Sequence, residues 1–158
     1  VLNTVHAYTM GQGLLDSPSK NLRRGRAAAL NLVPTSTGAA RAVGEVMPDL
    51  KGKLDGLAIR TPNPTGSLAD LTLTFAKAPE MEEVIATLRA FAETCPEVLE
   101  VTDAELVSSD VIGDTHSSIV DSTMCMKVGG LYKILCWYDN ESGYATRLVD
   151  VAGMLGAS

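Results

Sequence analysis

Apolar and polar positions change period along the chain, and each change marks an element. Residues 2–8, Leu-Asn-Thr-Val-His-Ala-Tyr, carry the β-formers Leu2, Val5 and Tyr8 and predict a strand. Residues 9–34 keep no period. Gly11, Gly13, Pro18, Gly25 and Pro34 interrupt them, which predicts a long ordered loop, a kind of segment that usually carries function. From Thr35 to about Met47 the spacing of Ala40, Val43 and Met47 predicts a helix, capped by Thr35 or Ser36 and closed by Pro48. Leu54 to Thr61 predicts a strand. Leu68 to Ala76 predicts another, with Leu71, Leu73 and Phe75 alternating with Thr72 and Thr74, as suits a sheet with one covered face.

Pro79 opens the next helix with Glu80, Glu82 and Glu83 in its first turn, where the helix dipole favours acids. Met81, Val84, Ile85, Leu88, Phe91 and Ala92 form its apolar stripe, and Thr94-Cys95-Pro96 stops it. Strands follow at Ser117–Val120, Ser122–Val128 and Leu131–Trp137. Gly129-Gly130 makes a hairpin turn between the last two, since both turn positions call for positive φ. A final helix spans 142–155, with Tyr144, Leu148, Val151 and Leu155 on one face. Clustered strands and few helices predict a single α+β domain over 1–158: a mixed, largely antiparallel sheet with helices packed on one face. Gly11-Gln12-Gly13 lacks the third glycine and the strand–helix setting of a dinucleotide fingerprint.

Composition narrows the function. Hydrophobic residues make up 46% and charged residues 20% of 158, enough for one real core. No window nears the roughly 18 uninterrupted apolar residues of a membrane span, so no membrane partner is expected. Nineteen acids against 13 bases give a net charge of −6, which argues against a nucleic-acid partner. The basic run Lys20 to Arg26 is either a solvated loop or a contact surface. The three cysteines, Cys95, Cys125 and Cys136, have no paired spacing, which predicts reduced thiols, a cytoplasmic setting and no structural metal. The chain opens without Met on an apolar run, as a fragment or a processed protein would.

Read from the residues alone, several positions have two meanings. His6 is a core histidine on an apolar strand or a general base, since imidazole titrates near working pH. Thr37-Gly38 is a helix start or an anion site built on free N–H groups. Arg60 at a strand end either snorkels or grips a phosphate with its planar fork. Asn140 or Ser142 caps the last helix, with Tyr144 facing the core; an amide at Asn140 can also fix a carboxamide, because it both donates and accepts.

Four segments in order carry a resemblance: Val5-His6-Ala7-Tyr8-Thr9, Asn31 to Ala40, Leu57 to Pro62, and Trp137 to Tyr144. Together they resemble the catalytic (C-terminal) domain of phosphorylating glyceraldehyde-3-phosphate dehydrogenase, and the resemblance reaches the whole chain. It implies that His6 is the base for a catalytic thiol, a pairing of the Cys-His type. It implies that Thr9 and Arg60 hold the phosphate of glyceraldehyde 3-phosphate, that Thr37 and Gly38 hold inorganic phosphate, and that Arg24 points toward the same region. Asn140 and Tyr144 would serve the nicotinamide of NAD. The family's nucleophile precedes its histidine by about two dozen residues, and this chain begins five residues before His6. A fragment inactive on its own is therefore expected, lacking the nucleophile and the nucleotide-binding domain. The family also implies a homo-oligomer and glycolytic work in the cytoplasm. An alternative is an isolated binding module with a secondary protein partner, at a cell surface for instance. Met10-Gly11-Gln12-Gly13 and Asp16-Ser17-Pro18-Ser19 depart from the family's loop, though the retained Pro18 favours NAD over NADP.

Overall fold

A computed structural model describes residues 1–156. Eight strands form one sheet: β1 (Leu2–Ala7), β2 (Val33–Ser36), β3 (Gly56–Thr61), β4 (Ser67–Leu73), β5 (Leu99–Thr102), β6 (Ser118–Asp121), β7 (Met126–Val128) and β8 (Leu131–Tyr138). Three helices accompany them: α1 (Ala39–Val46), α2 (Met81–Thr94) and α3 (Ser142–Gly156). The spatial order is β2-β3-β1-β4-β8-β6-β5, with β7 also on β8. Two pairings, β1 with β3 and β5 with β6, are parallel; the other five are antiparallel. The architecture is the expected α+β class.

Four local expectations change. Thr35 and Ser36 do not cap a helix: they end β2, and α1 starts at Ala39 behind Gly38, which makes no side-chain cap. Pro34 sits within β2 because β2 is the sheet's edge, where a missing N–H costs no ladder bond on the open side. Residues 99–102 form β5, which the sequence reading left out. Ser122–Val128 is not one strand; a tight turn at Ser122–Met124 precedes β7. At the β7–β8 hairpin only Gly129, with φ 58°, lies in the left-handed region.

Register defines the two faces of the sheet, since residues directly opposite in neighbouring strands share a face. One face carries Ala69, Leu71 and Leu73 of β4 opposite Cys136, Ile134 and Tyr132 of β8. Val120, Ile134 and Cys136 form the buried cluster there, and Val84 and Leu88 of α2 pack on it. The start of α2 is tied down by Tyr132 Oη, which donates to the Pro79 carbonyl at 2.7 Å, and by Lys127 Nζ, which donates to it at 2.9 Å. Only part of the predicted α2 stripe is used, for Phe91 stays 59% exposed.

The helix α3 leaves this body. Its stripe of Tyr144, Leu148, Val151 and Leu155 is exposed, so Tyr144 does not face the core. Neither Asn140 nor Ser142 caps it. Asp139 does: its Oδ1 accepts from Glu141 N at 2.9 Å and Ser142 N at 2.8 Å, while Oδ2 accepts from Gly113 N at 2.9 Å. Burial alone would raise the Asp139 carboxyl, but these N–H donors outweigh it and hold its pKa below the ordinary value. No described helix is long and apolar enough to cross a membrane.

Candidate active site

The parallel pairing of β1 and β3 sets His6 opposite Arg60. Both lie on the face that α2 covers further along, at the end α2 leaves open. His6 Nδ1 is 2.7 Å from the Ala7 carbonyl oxygen and 2.8 Å from Arg60 Nη1. Arg60 Nη1 also donates to the Ala7 oxygen at 2.9 Å and to Thr9 Oγ1 at 3.5 Å. In the tautomer that donates Nδ1–H to Ala7, Arg60 Nη1 touches Nδ1 without a hydrogen bond and the Nε2 lone pair is free; Nε2 has no hydrogen-bond partner among the described residues. Burial first, then the Arg60 charge, pull the His6 pKa below 6.5, against the opposing hydrogen bond to Ala7 and the charge of Glu141. Both effects favour the neutral ring, the form that can accept a proton.

The loop 9–32 brings a second guanidinium alongside. Asn21 Oδ1 accepts from Arg23 N at 3.1 Å and Arg24 N at 3.3 Å, a side-chain turn that aims Arg24 back at the sheet. Arg24 Nη2 and Nε donate to Thr35 Oγ1 at 2.9 and 3.2 Å. A side chain added at Gly11 would stand 3.8 Å from Arg24 Nη1 and 3.9 Å from Thr9 Oγ1, so Thr9 and Arg24 flank that glycine. Burial, followed by the charge of Arg24, lowers the Arg60 pKa from its ordinary value. Among the described residues neither Arg24 nor Arg60 forms an ion pair. Two close cations without a carboxylate leave room for an anion.

Thr37 and Gly38 stand apart from that pair. Val33 of β2 is opposite Arg60, whereas Ser36 is opposite Leu57. Thr37 thus begins about four residues down the strand from Arg60, roughly 13 Å at 3.3 Å per residue. Thr37 Oγ1 accepts from Ala39 N at 3.2 Å, and Gly38 has open space where a Cβ would be. Arg24, on Thr35, lies between the two places.

Asn140 joins the cluster from the other side. Tyr138 of β8 meets the His6 ring edge-on, with centroids 6.1 Å apart. Asn140 Oδ1 accepts from Ser67 Oγ at 2.5 Å, and its Nδ2 is buried with no partner. Tyr144, four residues on, is 69% exposed on α3 and is not part of this group. Sequence reading missed Thr35, Ser67 and Tyr138. Their alternation with His6 and Arg60 across the sheet was the available signal, and it needed the strand order to be read. It also missed Gln12, whose amide is buried with neither end bonded.

The cysteines are elsewhere in character. Burial pushes the Cys125 and Cys136 thiols up, and both belong to the core cluster under α2. A nucleophilic thiol needs the opposite shift. Away from His6, the structure gathers Glu100, Asp114 and His116 with ligand atoms within 4.8 Å of one another. Both His116 nitrogens are already engaged: Nδ1 with Asp114 Oδ1 at 2.7 Å, Nε2 with the Pro96 carbonyl at 2.9 Å.

The end of the sheet thus sets an imidazole beside two guanidiniums that pair with no carboxylate among the described residues. The chain belongs to the family described as glyceraldehyde 3-phosphate dehydrogenase, C-terminal domain, whose model matches residues 1–140. It is 52% identical to glyceraldehyde-3-phosphate dehydrogenase of Mycobacterium avium and 52% identical to that of Mycobacterium leprae, over 100% of this chain and 47% of each relative. It is 48% identical to glyceraldehyde-3-phosphate dehydrogenase 2 of Streptomyces arenae, over 100% of this chain and 48% of that protein. The chain thus spans about half the length of the relatives it matches.

Proposed function

We propose that this chain serves as the catalytic half of a phosphorylating, NAD-dependent glyceraldehyde-3-phosphate dehydrogenase of glycolysis. The observation that carries this reading is the cluster of His6, Arg60, Arg24 and Thr9. A base with a free Nε2 sits against Arg60, with Arg24 close by, and neither guanidinium has a carboxylate partner among the described residues.

In this reading His6 Nε2 takes the proton of a cysteine thiol supplied from outside residues 1–158 and later returns it to a leaving group. Arg60 and Thr9 hold the phosphate of glyceraldehyde 3-phosphate, which fixes the distance from that anion to the reacting carbon. Thr37 Oγ1, the free N–H groups at the start of α1 and Arg24 hold the attacking inorganic phosphate. Arg24, held on Thr35, lies between these two places along β2. NAD, when bound, would supply the hydride acceptor. The buried, unbonded Nδ2 of Asn140 fits a polar group such as its carboxamide. Tyr144, on the exposed start of α3, would meet the nicotinamide only when α3 is covered.

The three free cysteines and the family support a cytoplasmic setting, and the exposed apolar side of α3 supports a homo-oligomer. The isolated binding module is not supported. In the basic run Arg24 turns inward to Thr35, and Arg26 lies 3.8 Å from Asp16.

The experiment compares full-length protein with residues 1–158 alone in NAD reduction with glyceraldehyde 3-phosphate and phosphate. Full-length activity that needs inorganic phosphate and is lost in His6→Ala is the expected result. Turnover by the 158-residue chain alone would overturn it.

A further inference from the structure

Ser67 is the most completely buried polar side chain beside the candidate site, with 1% of its surface exposed. Its hydroxyl has capacity for one donation and two acceptances. It accepts from Ala7 N at 3.2 Å, the residue after His6, and donates to Asn140 Oδ1 at 2.5 Å. Tyr138, the aromatic against His6, stands directly opposite Ser67 in the β4–β8 pairing. An asparagine amide left alone rotates, exchanging its donor end for its acceptor end at almost no cost in shape. Bound at one end by a hydroxyl that is itself fixed by a strand N–H, it keeps one orientation. Asp139 removes the competing job, since it alone caps α3 and leaves the Asn140 side chain uncommitted at its Nδ2 end.

We propose that Ser67 is a positioning residue, which holds the Asn140 amide in a fixed orientation relative to the strand carrying His6. Ser67 touches no reacting atom. It acts through Asn140 on the carboxamide of the nicotinamide ring, and so rests on the reading of Asn140 given above. Because the same hydroxyl is bonded to Ala7 N, the amide and the imidazole share one backbone reference. A hydride acceptor oriented by Asn140 is thereby placed relative to the base.

The test is a double-mutant cycle in the full-length protein, reading dissociation constants for NAD and for ADP-ribose, which lacks the nicotinamide. Ser67→Ala is expected to weaken NAD about tenfold and leave ADP-ribose within about twofold, as for a lost buried hydrogen bond. Asn140→Ala should do the same, and the double variant should bind NAD no more weakly than Asn140→Ala alone. Ser67→Cys, near in size with a poorer donor, should fall between wild type and Ser67→Ala. An undiminished Ser67→Ala effect in the Asn140→Ala background would overturn the proposal. So would equal weakening of ADP-ribose, or unchanged NAD binding in Ser67→Ala where Asn140→Ala weakens it. If Asn140→Ala itself leaves NAD unchanged, the reading of Asn140 fails first and this inference falls with it.

Discussion

The chain has two histidines, and they occupy opposite environments. His6 faces a carbonyl and a guanidinium on one nitrogen, has no carboxylate bonded to it, and keeps the other nitrogen free. His116 is bonded at both nitrogens and stands 2.7 Å from Asp114 and 3.8 Å from Glu100. His116 joins three segments: the end of α2 through Pro96, β5 through Glu100, and the loop that supports α3. Its carbonyl oxygen also lies where a side chain at Gly143 would need to go, at 2.7 Å. A ring with every polar atom engaged holds structure together. A ring with one free lone pair, whose burial and then the guanidinium beside it favour the neutral form, can do chemistry. The residue type is the same; the partners decide.

The contrast has consequences of decreasing size. His6→Gln in the full-length protein should lower kcat by about 10²–10⁴, the usual share of a positioned base, while His116→Gln leaves kcat within about twofold. Steady-state rates for the two variants side by side would break the comparison if they moved together. Arg60→Ala should raise KM for glyceraldehyde 3-phosphate by roughly ten- to hundredfold, the worth of a charge-assisted hydrogen bond, with Arg60→Lys recovering only part. A smaller response to Arg60→Ala than to Arg26→Ala would remove the anion assignment.

Stability reverses the ranking. His116→Gln should cost about 1 kcal/mol in urea unfolding, by loss of the partly exposed bonds to Asp114 and Pro96. The smallest effect is a pH slope. The folded pKa of His6 lies below 6.5, so the folded protein binds fewer protons than the unfolded chain. The stability this gives is present above about 6.5 and is lost as pH falls toward the folded value. Thermal midpoints between about pH 7.5 and 5.5 should therefore decline in the wild type and decline less in His6→Gln. An unaltered slope in that variant would show that His6 is not the group responsible.

The parts legible in the sequence were those with a long, clean period. α2 and the β7–β8 hairpin came through because their signals are local. β2 did not, because Pro34 followed by the small polar residues Thr35 and Ser36 looks like a helix start, and only the edge position explains them. β5 is four residues directly after a helix stop and gains its strand character from pairing with β6. His6, Arg60, Arg24 and Thr9 could be named in advance through family motifs, and the structure brings these four together. Ser67, Thr35 and Tyr138 could not, for their meaning arises from strands that are distant in sequence. The cap at Asp139 was misread as Asn140 or Ser142, since all three residue types cap helices and the choice depends on which oxygen reaches the amides.

One consequence of the parallel register concerns how the chain tolerates insertion and deletion. His6 and Arg60 share a face only because β1 and β3 run side by side without a slip. Deleting one residue between Leu2 and Val5 would turn the histidine to the other face, beside Leu68 and Trp137, and take it from Arg60 altogether. The loop from Thr9 to Leu32 pairs with no strand before Val33, so a change of length there shifts no register, provided buried Gln12, Ala27 and Ala28 and the Asn21 turn are kept. Length variation among functional homologues should accordingly crowd into that loop and be absent from the two strands, so that the pairing acts as a ruler that selection cannot cut.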